Sequence, residues 1–270
     1  MSERAALYDW PLYYDIAFNW DASGEVAMLE RAIADHAPAP DAARRVLEPG
    51  CGTGRVLVAL AMAGFDAVGY DANPAMVAYA RQRIEQTGLA DRLRVVGAEM
   101  TRDLPAEALA EPFDAAFCPM SSLSHLANDA AIAAHFRATA DALAPGGIYL
   151  FQLATVWEPE LGHEPSFWTT QRDGVRVRVE WVVEHDDPEA RISRQRCAMT
   201  VEDPDAAGTI EHVETLDMRL WLDADVRRLL EGSDALELIG AYDEAGRPLP
   251  LDQSVTADDG NAWWVARRSS

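Results

Sequence analysis

The chain has 270 residues, and its 23 Lys plus Arg against 45 Asp plus Glu give a formal net charge of −22. Nucleic-acid binding draws much of its affinity from neutralising phosphates, so this balance argues against DNA, RNA and anionic membranes as partners. All 23 basic residues are Arg, which excludes mechanisms that need a lysine, such as a pyridoxal phosphate Schiff base.

The composition also indicates a cellular compartment. No apolar run reaches the ~18 residues that a membrane helix needs, and the first residues lack the apolar stretch of a secretory signal. The three cysteines, Cys51, Cys118 and Cys197, lie far apart and share no metal-ligand spacing. We therefore expect a cytoplasmic protein that has no disulfide framework and binds no metal.

Strands and helices are predicted to alternate from the first strand to residue 153. An aromatic segment at residues 1–20 precedes a helix in which Val26, Leu29 and Ile33 recur at about 3.6 residues. Alternation of this kind indicates right-handed βαβ units and a parallel sheet. The predicted strands are 46–47, 67–71, 93–96, 113–118 and 148–153, and the predicted helices are 55–63, 74–86 and 129–144.

The pattern changes near Thr155, where apolar residues begin to alternate with charged ones at the strand period of two. Strands at 175–183, 191–201 and 209–220 indicate an antiparallel meander. A helix at 224–231 and strands at 236–242 and 262–265 complete the chain. We thus predict an α/β fold with a doubly wound, seven-stranded, Rossmann-like sheet. Residues 1–154 and 221–270 would form the cofactor-binding domain, and residues 155–220 an inserted β subdomain.

A glycine-rich loop, Glu-Pro-Gly-Cys-Gly-Thr-Gly at residues 48–54, follows the first strand. Glycines at 50, 52 and 54 permit a tight turn and the close approach of a ligand to bare backbone. A dinucleotide fingerprint would need a glycine at position 55, where the chain has Arg55, so the spacing favours a ligand without pyrophosphate. A glycine-rich turn without a ligand is the alternative.

Acidic residues stand at the ends of three successive predicted strands, namely Glu48, Asp71 and Glu99. The carboxyl ends of parallel strands meet at one edge of a sheet, where open α/β sheets bind ligands. Asp71, about 20 residues beyond the glycine loop, is placed to accept both hydroxyls of a ribose. Glu99 is placed near the exocyclic amine of an adenine. Together with the glycines, these positions favour an adenosyl ligand over chance.

Five segments in this order resemble the class I S-adenosylmethionine-dependent methyltransferases over residues 40–155. They are residues 48–54, 69–76, 97–100, 113–114 and 143–147.

The resemblance implies a site for S-adenosylmethionine. The glycine loop would line the methionine side and Asp71 would hold the ribose. Ala72 and Met76 would flank the adenine, with Glu99 and Met100 at its edge; the family often has Asp where Glu99 stands. The full set of predicted cofactor-binding residues is Tyr14, Glu48, Gly50, Cys51, Gly52, Gly54, Arg55, Asp71, Ala72, Met76, Glu99, Met100 and Cys118.

A shorter resemblance joins Tyr14-Asp15 and residues 121–126 to small-molecule methyltransferases that carry an inserted sheet, such as those that methylate the amine of nucleotide-linked sugars. His125 would lie where the transferable methyl points, and it is the predicted catalytic residue. It would act as a general base for a hydroxyl acceptor or as a binding residue. The alternative for His125 is a helix cap or a surface loop residue. The alternative for Tyr14 is packing in the core, and for Arg55 it is a side chain that faces solvent.

The leading hypothesis is transfer of a methyl group from S-adenosylmethionine to a nitrogen or oxygen of a small molecule. The inserted subdomain would cover the mouth of the site and select the acceptor. A non-catalytic protein that binds the adenosyl ligand is the main alternative, and a nicotinamide-dependent oxidoreductase is disfavoured by Arg55. The polar face that bears Arg176 and Arg178 would suit a homodimer.

Overall fold

A computed structural model describes residues 6–105, 111–157 and 164–269 of the chain. Its strands form one seven-stranded mixed sheet and one four-stranded antiparallel sheet. In chain order the helices and strands are α1 (Pro11–Phe18), α2 (Ser23–His36), β1 (Arg45–Pro49), α3 (Arg55–Met62), β2 (Asp66–Asp71), α4 (Pro74–Thr87), β3 (Leu93–Gly97), β4 (Phe113–Cys118), α5 (Asp129–Ala142), β5 (Leu143–Leu153), β6 (Ser166–Arg172), β7 (Val175–Asp187), β8 (Ile192–Glu202), β9 (Ile210–Arg219), α6 (Asp223–Glu231), β10 (Leu236–Tyr242) and β11 (Ala262–Arg268).

The central sheet has the strand order β10-β11-β5-β4-β1-β2-β3, in which β11 is antiparallel to both of its neighbours. Helices cover both faces, so the strands are apolar almost throughout, as in other buried parallel sheets. The order reverses between β1 and β4, and open α/β sheets bind their ligands at such a switch point. The loops that follow β1 and β4 therefore flank the expected site.

The second sheet has the order β6-β7-β8-β9 and lies between β5 and α6 in the chain. Its inner face carries Val177, Val179, Met199 and Val201, which are fully buried. These side chains share one apolar cluster with residues of α1. The N-terminal helix therefore packs against the second sheet rather than standing apart from it.

The predicted fold class, a seven-stranded sheet with an inserted antiparallel sheet, is confirmed. Two details of the prediction were wrong. The inserted sheet has a fourth strand, β6, which pairs with β7 from Ser166↔Trp181 to Arg172↔Val175. In addition, residues 143–147 were expected to end a helix and form a turn, yet they belong to β5, with a shift in pairing to β4.

The described ranges lack a helix suited to span a membrane and a cluster of metal-binding side chains. None of their helices is both long and apolar enough to cross a membrane. They also contain no cluster of three or more His, Cys, Asp or Glu side chains suited to a metal ion.

Candidate active site

A cavity of about 930 Å³ opens at the carboxyl ends of β1, β2 and β4. Residues of the central sheet line one side, and residues of α1 and the four-stranded sheet line the other. Most of the site residues predicted from the sequence lie in its wall. They are Tyr14, Glu48, Gly50, Cys51, Gly52, Arg55, Asp71, Ala72, Met76, Glu99, Met100 and His125.

Gly54 and Cys118, which were also predicted to bind the cofactor, are not among the residues that line this cavity. Gly54 adopts a left-handed conformation, φ 76°, at the start of α3. A Cβ there would lie 3.4 Å from Ala80, so this glycine serves the turn and the packing of α3 on α4. Cys118 is fully buried, and its thiol donates to the Pro49 carbonyl oxygen at 3.7 Å. Both residues support the floor of the cavity from behind.

The glycine loop brings bare backbone to the cavity surface. Gly50 has φ 64°, a conformation that L side chains rarely adopt. A Cβ on Gly50 would also collide with the Cε methyl of Met100. The glycine therefore lets the Met100 side chain pack closely against the loop in the wall of the cavity.

Asp71 is held in place by the same loop. Its Oδ2 accepts a hydrogen bond from the Gly52 amide at 2.9 Å, and its Oδ1 accepts one from the Asn73 amide at 2.8 Å. Each carboxylate oxygen has two lone pairs, so each retains one for a ligand. The carboxylate is thus oriented by backbone donors and lines the cavity ready to accept a pair of hydroxyls.

Glu48 lies in the wall beside the loop and is only 4% exposed. Its Oε2 has no hydrogen-bond partner within the described ranges. Burial raises the pKa of this carboxyl to about 8, although nearby Arg55 acts to lower it. The cavity therefore contains a buried acid that would gain from a cationic partner.

Arg55 is buried, which rules out the expected alternative of a solvent-facing side chain. Its Nη2 donates to Glu25 Oε1 at 2.6 Å, and its Nη1 donates to the Trp20 carbonyl oxygen at 3.2 Å. The ion pair ties the segment after α1 to the start of α3. Arg55 thus closes one end of the cavity and is already neutralised there.

The residues expected around an adenine lie beyond Asp71. Met76 is buried on α4, where the Asn73 carboxamide oxygen accepts from the Met76 amide at 3.2 Å. Glu99 is more exposed, and its carboxylate lies 3.0 Å from Arg102 Nε. The Met100 side chain reaches the glycine loop, as described for Gly50. This end of the cavity is therefore mostly apolar, with one carboxylate at its rim.

His125 enters the cavity from the loop that follows β4. The residues before it, Met120 and Ser121, have φ values of 56° and 53°, and such strained backbone is common at functional sites. His125 Nε2 lies 3.1 Å from the Tyr8 hydroxyl. Desolvation by the surrounding protein lowers the pKa of the imidazole, whereas Asp71 acts to raise it. His125 is therefore neutral near pH 7, and Nε2 is engaged.

Tyr8 of the N-terminal segment contacts both His125 and a second tyrosine, Tyr14. The Tyr8 ring lies 5.5 Å from the His125 ring and 5.5 Å from the Tyr14 ring. Burial raises the pKa of Tyr8 well above its usual range and that of Tyr14 to about 12. Both hydroxyls therefore stay protonated. Tyr14 was predicted from the sequence, but Tyr8 was not, because its aromatic neighbours gave it no distinguishing signal.

The four-stranded sheet supplies further side chains, of which the sequence had pointed only to Trp168 as a wall of a substrate pocket. Trp181 Nε1 donates to Gln195 Oε1 at 2.8 Å, and Gln195 Nε2 donates to Ser193 Oγ at 3.0 Å. Arg219 Nη2 donates to Asp129 Oδ1 at 2.6 Å. The cavity-lining residues of this sheet are Trp168, Trp181, Val183, Asp186, Ser193, Gln195, Met218 and Arg219.

Comparison with known proteins agrees with this architecture. Residues 46–147 match the family model of a methyltransferase domain. An enzyme described as a ubiquinone biosynthesis O-methyltransferase, from Methylococcus capsulatus, is 32% identical over 138 residues, which make up 49% of this chain and 54% of that protein. The chain thus spans about half the length of this curated relative.

Solved structures share the fold over nearly the whole chain. The sugar N-methyltransferase KedS8 from Streptoalloteichus sp. has a TM-score of 0.75 and 22% identity, covering 100% of this chain and 96% of that one. The amino pentose methyltransferase CalS10 from Micromonospora echinaspora has a TM-score of 0.69 and 22% identity over 100% of both chains. Residues 46–147 therefore resemble a methyltransferase domain, as predicted from the sequence, and the solved structures share the fold of the chain.

Proposed function

We propose that this chain transfers a methyl group from S-adenosylmethionine to a nitrogen of a small molecule. One observation carries the proposal: a single cavity joins the glycine loop and Asp71 to a space closed by α1 and the four-stranded sheet. The first part suits an adenosyl ligand, and the second would hold an acceptor next to it. Alignment of two bound reactants supplies much of the catalysis in a displacement of this type.

The residues present fit S-adenosylmethionine. The free lone pairs of Asp71 suit the ribose hydroxyls, and the left-handed glycine loop in the cavity wall suits the methionine portion. The unpartnered Oε2 of Glu48 suits an ammonium group. Ala72 and Met76 would pack on the adenine. When bound, this group supplies an electrophilic methyl that an acceptor lone pair takes while the bond to sulfur breaks.

Nitrogen is the proposed acceptor atom because of the contact between Tyr8 and His125. A hydroxyl acceptor would gain from a general base, but the Tyr8 hydroxyl engages His125 Nε2 in either tautomer and leaves only Nδ1 for that task. An amine that reacts as its free base needs only placement and desolvation. The similar solved structures described as sugar N- and amino pentose methyltransferases support the same choice.

We also propose that residues 155–220 act as the acceptor-binding subdomain. Eight cavity-lining side chains of β6–β9 support this role. The three cysteines are free and buried, which fits a reducing cytoplasm. The net charge of −22 argues against a nucleic-acid acceptor. A homodimer formed through the outer face of β6–β9 would leave the cavity open.

The proposal is tested by following labelled methyl transfer to matched pairs of small molecules that differ only in an amine or a hydroxyl. We expect transfer to the amine of a pair and not to its alcohol, and calorimetric binding of S-adenosylmethionine but not of NAD. Transfer to alcohols alone would contradict the assignment of nitrogen as the acceptor atom. Binding without transfer to any acceptor would instead favour the non-catalytic alternative.

A further inference from the structure

Five aromatic rings form a continuous wall on the acceptor side of the cavity. Phe18 is at the centre, with ring centroids 4.5 Å from Tyr14, 5.7 Å from Trp20, 5.4 Å from Trp168 and 6.2 Å from Trp181. All five side chains line the cavity. We call Tyr14, Phe18, Trp20, Trp168 and Trp181 the aromatic wall.

The two tryptophans of the four-stranded sheet are anchored by their ring edges. Trp168 Nε1 donates to the Ala17 carbonyl oxygen at 2.9 Å, and Trp181 Nε1 donates to Gln195 Oε1 at 2.8 Å. With the N–H groups used, these indoles offer the cavity carbon surface and π electrons. Aromatic faces bind cations by attraction to the ring quadrupole, and tryptophan is the strongest of the three rings.

The cations at this cavity are already neutralised. Among the described residues, two arginines line it, Arg55 and Arg219. Arg55 is paired with Glu25 at 2.6 Å and Arg219 with Asp129 at 2.6 Å. The Arg219 guanidinium also stacks on the Trp221 ring at 4.5 Å, and its Nε is buried without a hydrogen-bond partner among the described residues. Each guanidinium charge at the cavity is thus compensated by a carboxylate, which weakens its attraction for a phosphate.

Carboxyl groups outnumber arginines in the cavity wall, although Glu99 is itself paired with Arg102 at 3.0 Å. Asp71 and Glu99 line the cavity on the central-sheet side, and Asp186 lines it on the side of the four-stranded sheet. The chain has no lysine, and its net charge is −22. The field at the cavity therefore attracts cations and repels anions.

We propose that the aromatic wall holds the amine-bearing group of the acceptor as a cation, and that the acceptor carries no phosphate. The inference rests on the proposed function and narrows its acceptor class. It sets this chain apart from enzymes whose amino-sugar acceptor is linked to a nucleotide diphosphate. The ammonium would be captured against the wall, would lose a proton to solvent, and would then react as the free amine.

The test uses three related probes on the whole chain saturated with S-adenosylhomocysteine. Choline carries a cation, 3,3-dimethylbutan-1-ol is its neutral analogue, and phosphocholine adds a phosphate. Binding is measured by calorimetry and by quenching of tryptophan fluorescence. We expect choline to bind at least tenfold more tightly than either of the others. Equal binding of the neutral probe, tighter binding of phosphocholine, or no binding of choline would overturn the proposal.

Variants locate the binding. Trp168→Leu and Trp181→Leu should each weaken choline binding at least fivefold. Phe167→Leu is the matched control, because Phe167 is the neighbour of Trp168 on the outer face and is 65% exposed. Unchanged binding of S-adenosylhomocysteine shows that each variant is folded. Losses that are equal in Phe167→Leu, or absent from both tryptophan variants, would contradict the assignment.

Failure of this inference and failure of the proposed function give different results. Choline has no N–H, so its binding does not depend on methyl transfer to nitrogen. If choline binds as expected but no amine is methylated, the wall is a cation site and the proposed activity is wrong. If amines are methylated but phosphocholine binds best, the activity stands and the inferred acceptor class is wrong.

Discussion

The part of the cavity built on the glycine loop and the part built on α1 and the four-stranded sheet offer different groups to a ligand. In the first part, the cofactor half, residues 48–54 and 71–76 present glycine backbone and the Asp71 carboxylate, which the Gly52 and Asn73 amides orient. In the second, the acceptor half, aromatic and polar side chains converge from α1, β6, β7 and β8.

This difference separates the two tasks of the cavity. A cradle made of backbone changes little when side chains are replaced, so it suits a ligand that stays the same. A wall made of side chains can change its shape and charge by substitution while the strands that carry it keep their register. We therefore expect large effects from a few positions in the cofactor half, and smaller, distributed effects in the acceptor half.

The largest effect is expected at Asp71. Asp71→Ala removes the proposed acceptor of the ribose hydroxyls and leaves the Gly52 and Asn73 amides without this partner. Loss of a hydrogen bond to a charged group costs about 1.5–3 kcal/mol, so the Kd for S-adenosylmethionine, measured by calorimetry, should rise about 10- to 150-fold. Asp66→Ala, at the exposed far end of β2, is the control. An unchanged Kd in Asp71→Ala would remove this carboxylate from the site.

Glu48 should make the free protein less stable as the pH rises. Burial raises the pKa of this carboxyl to about 8, so the folded state keeps a proton that the unfolded chain releases near pH 4.5. Stability is therefore highest below that value and is lost up to about pH 8. Relative to Glu48→Gln, the parent's free energy of unfolding should fall by at least ~1.4 kcal/mol between pH 5 and 8. Parallel denaturation curves for the two proteins would contradict this.

Ligand binding gives the same carboxyl a second readout. If an ammonium group pairs with ionised Glu48, S-adenosylmethionine should release close to one proton on binding at pH 7. Calorimetry in two buffers of different ionisation enthalpy measures this number. The Glu48→Gln variant should release none, and equal release from both proteins would place the proton elsewhere.

In the acceptor half, Tyr8 and His125 should act as a coupled pair. Their 3.1 Å contact predicts that kcat/KM effects of Tyr8→Phe and His125→Ala are non-additive by about 0.5–1.5 kcal/mol. With an amine acceptor, His125→Ala alone should cost less than the ~10²–10⁴ in kcat typical of a lost general base. Additive effects would separate the two side chains, and a larger loss would restore His125 as the base.

The cofactor half could be predicted from the sequence, whereas most of the acceptor half could not. The central sheet, the glycine loop, Asp71 and Glu48 were predicted because adjacent residues carry the signal: a strand, then glycines, then a helix. Strand ends then bring these short segments to one edge. The resemblance to known methyltransferases covers this part of the chain.

Within the aromatic wall, the sequence suggested the side of a substrate pocket only at Trp168, and there hydrophobic packing was the favoured interpretation. The rest of the aromatic wall and the Tyr8–His125 contact were not predicted, because their partners are far apart in the chain. Trp168 belongs to β6, which was missed although its neighbours were found. It reaches Phe18 across 150 residues through the packing of α1 on the second sheet. Periodicity finds a strand face, but it does not show which distant helix covers that face. The role of Arg55 was open for the same reason, since its partner Glu25 lies on α2.

The smallest effect is expected at Glu99, although this residue belongs to the cofactor half. Its side chain is 53% exposed and already lies 3.0 Å from Arg102 Nε. Exposed ion pairs contribute about 0–1 kcal/mol. Glu99→Ala should therefore raise the Kd for S-adenosylmethionine by less than about fivefold, and Arg102→Ala should raise it by a similar factor. If Glu99→Ala instead costs as much as Asp71→Ala, a side chain at the rim would matter as much as the backbone-held carboxylate. The division between a cofactor half built on backbone and an acceptor half built on side chains would then fail at the adenine.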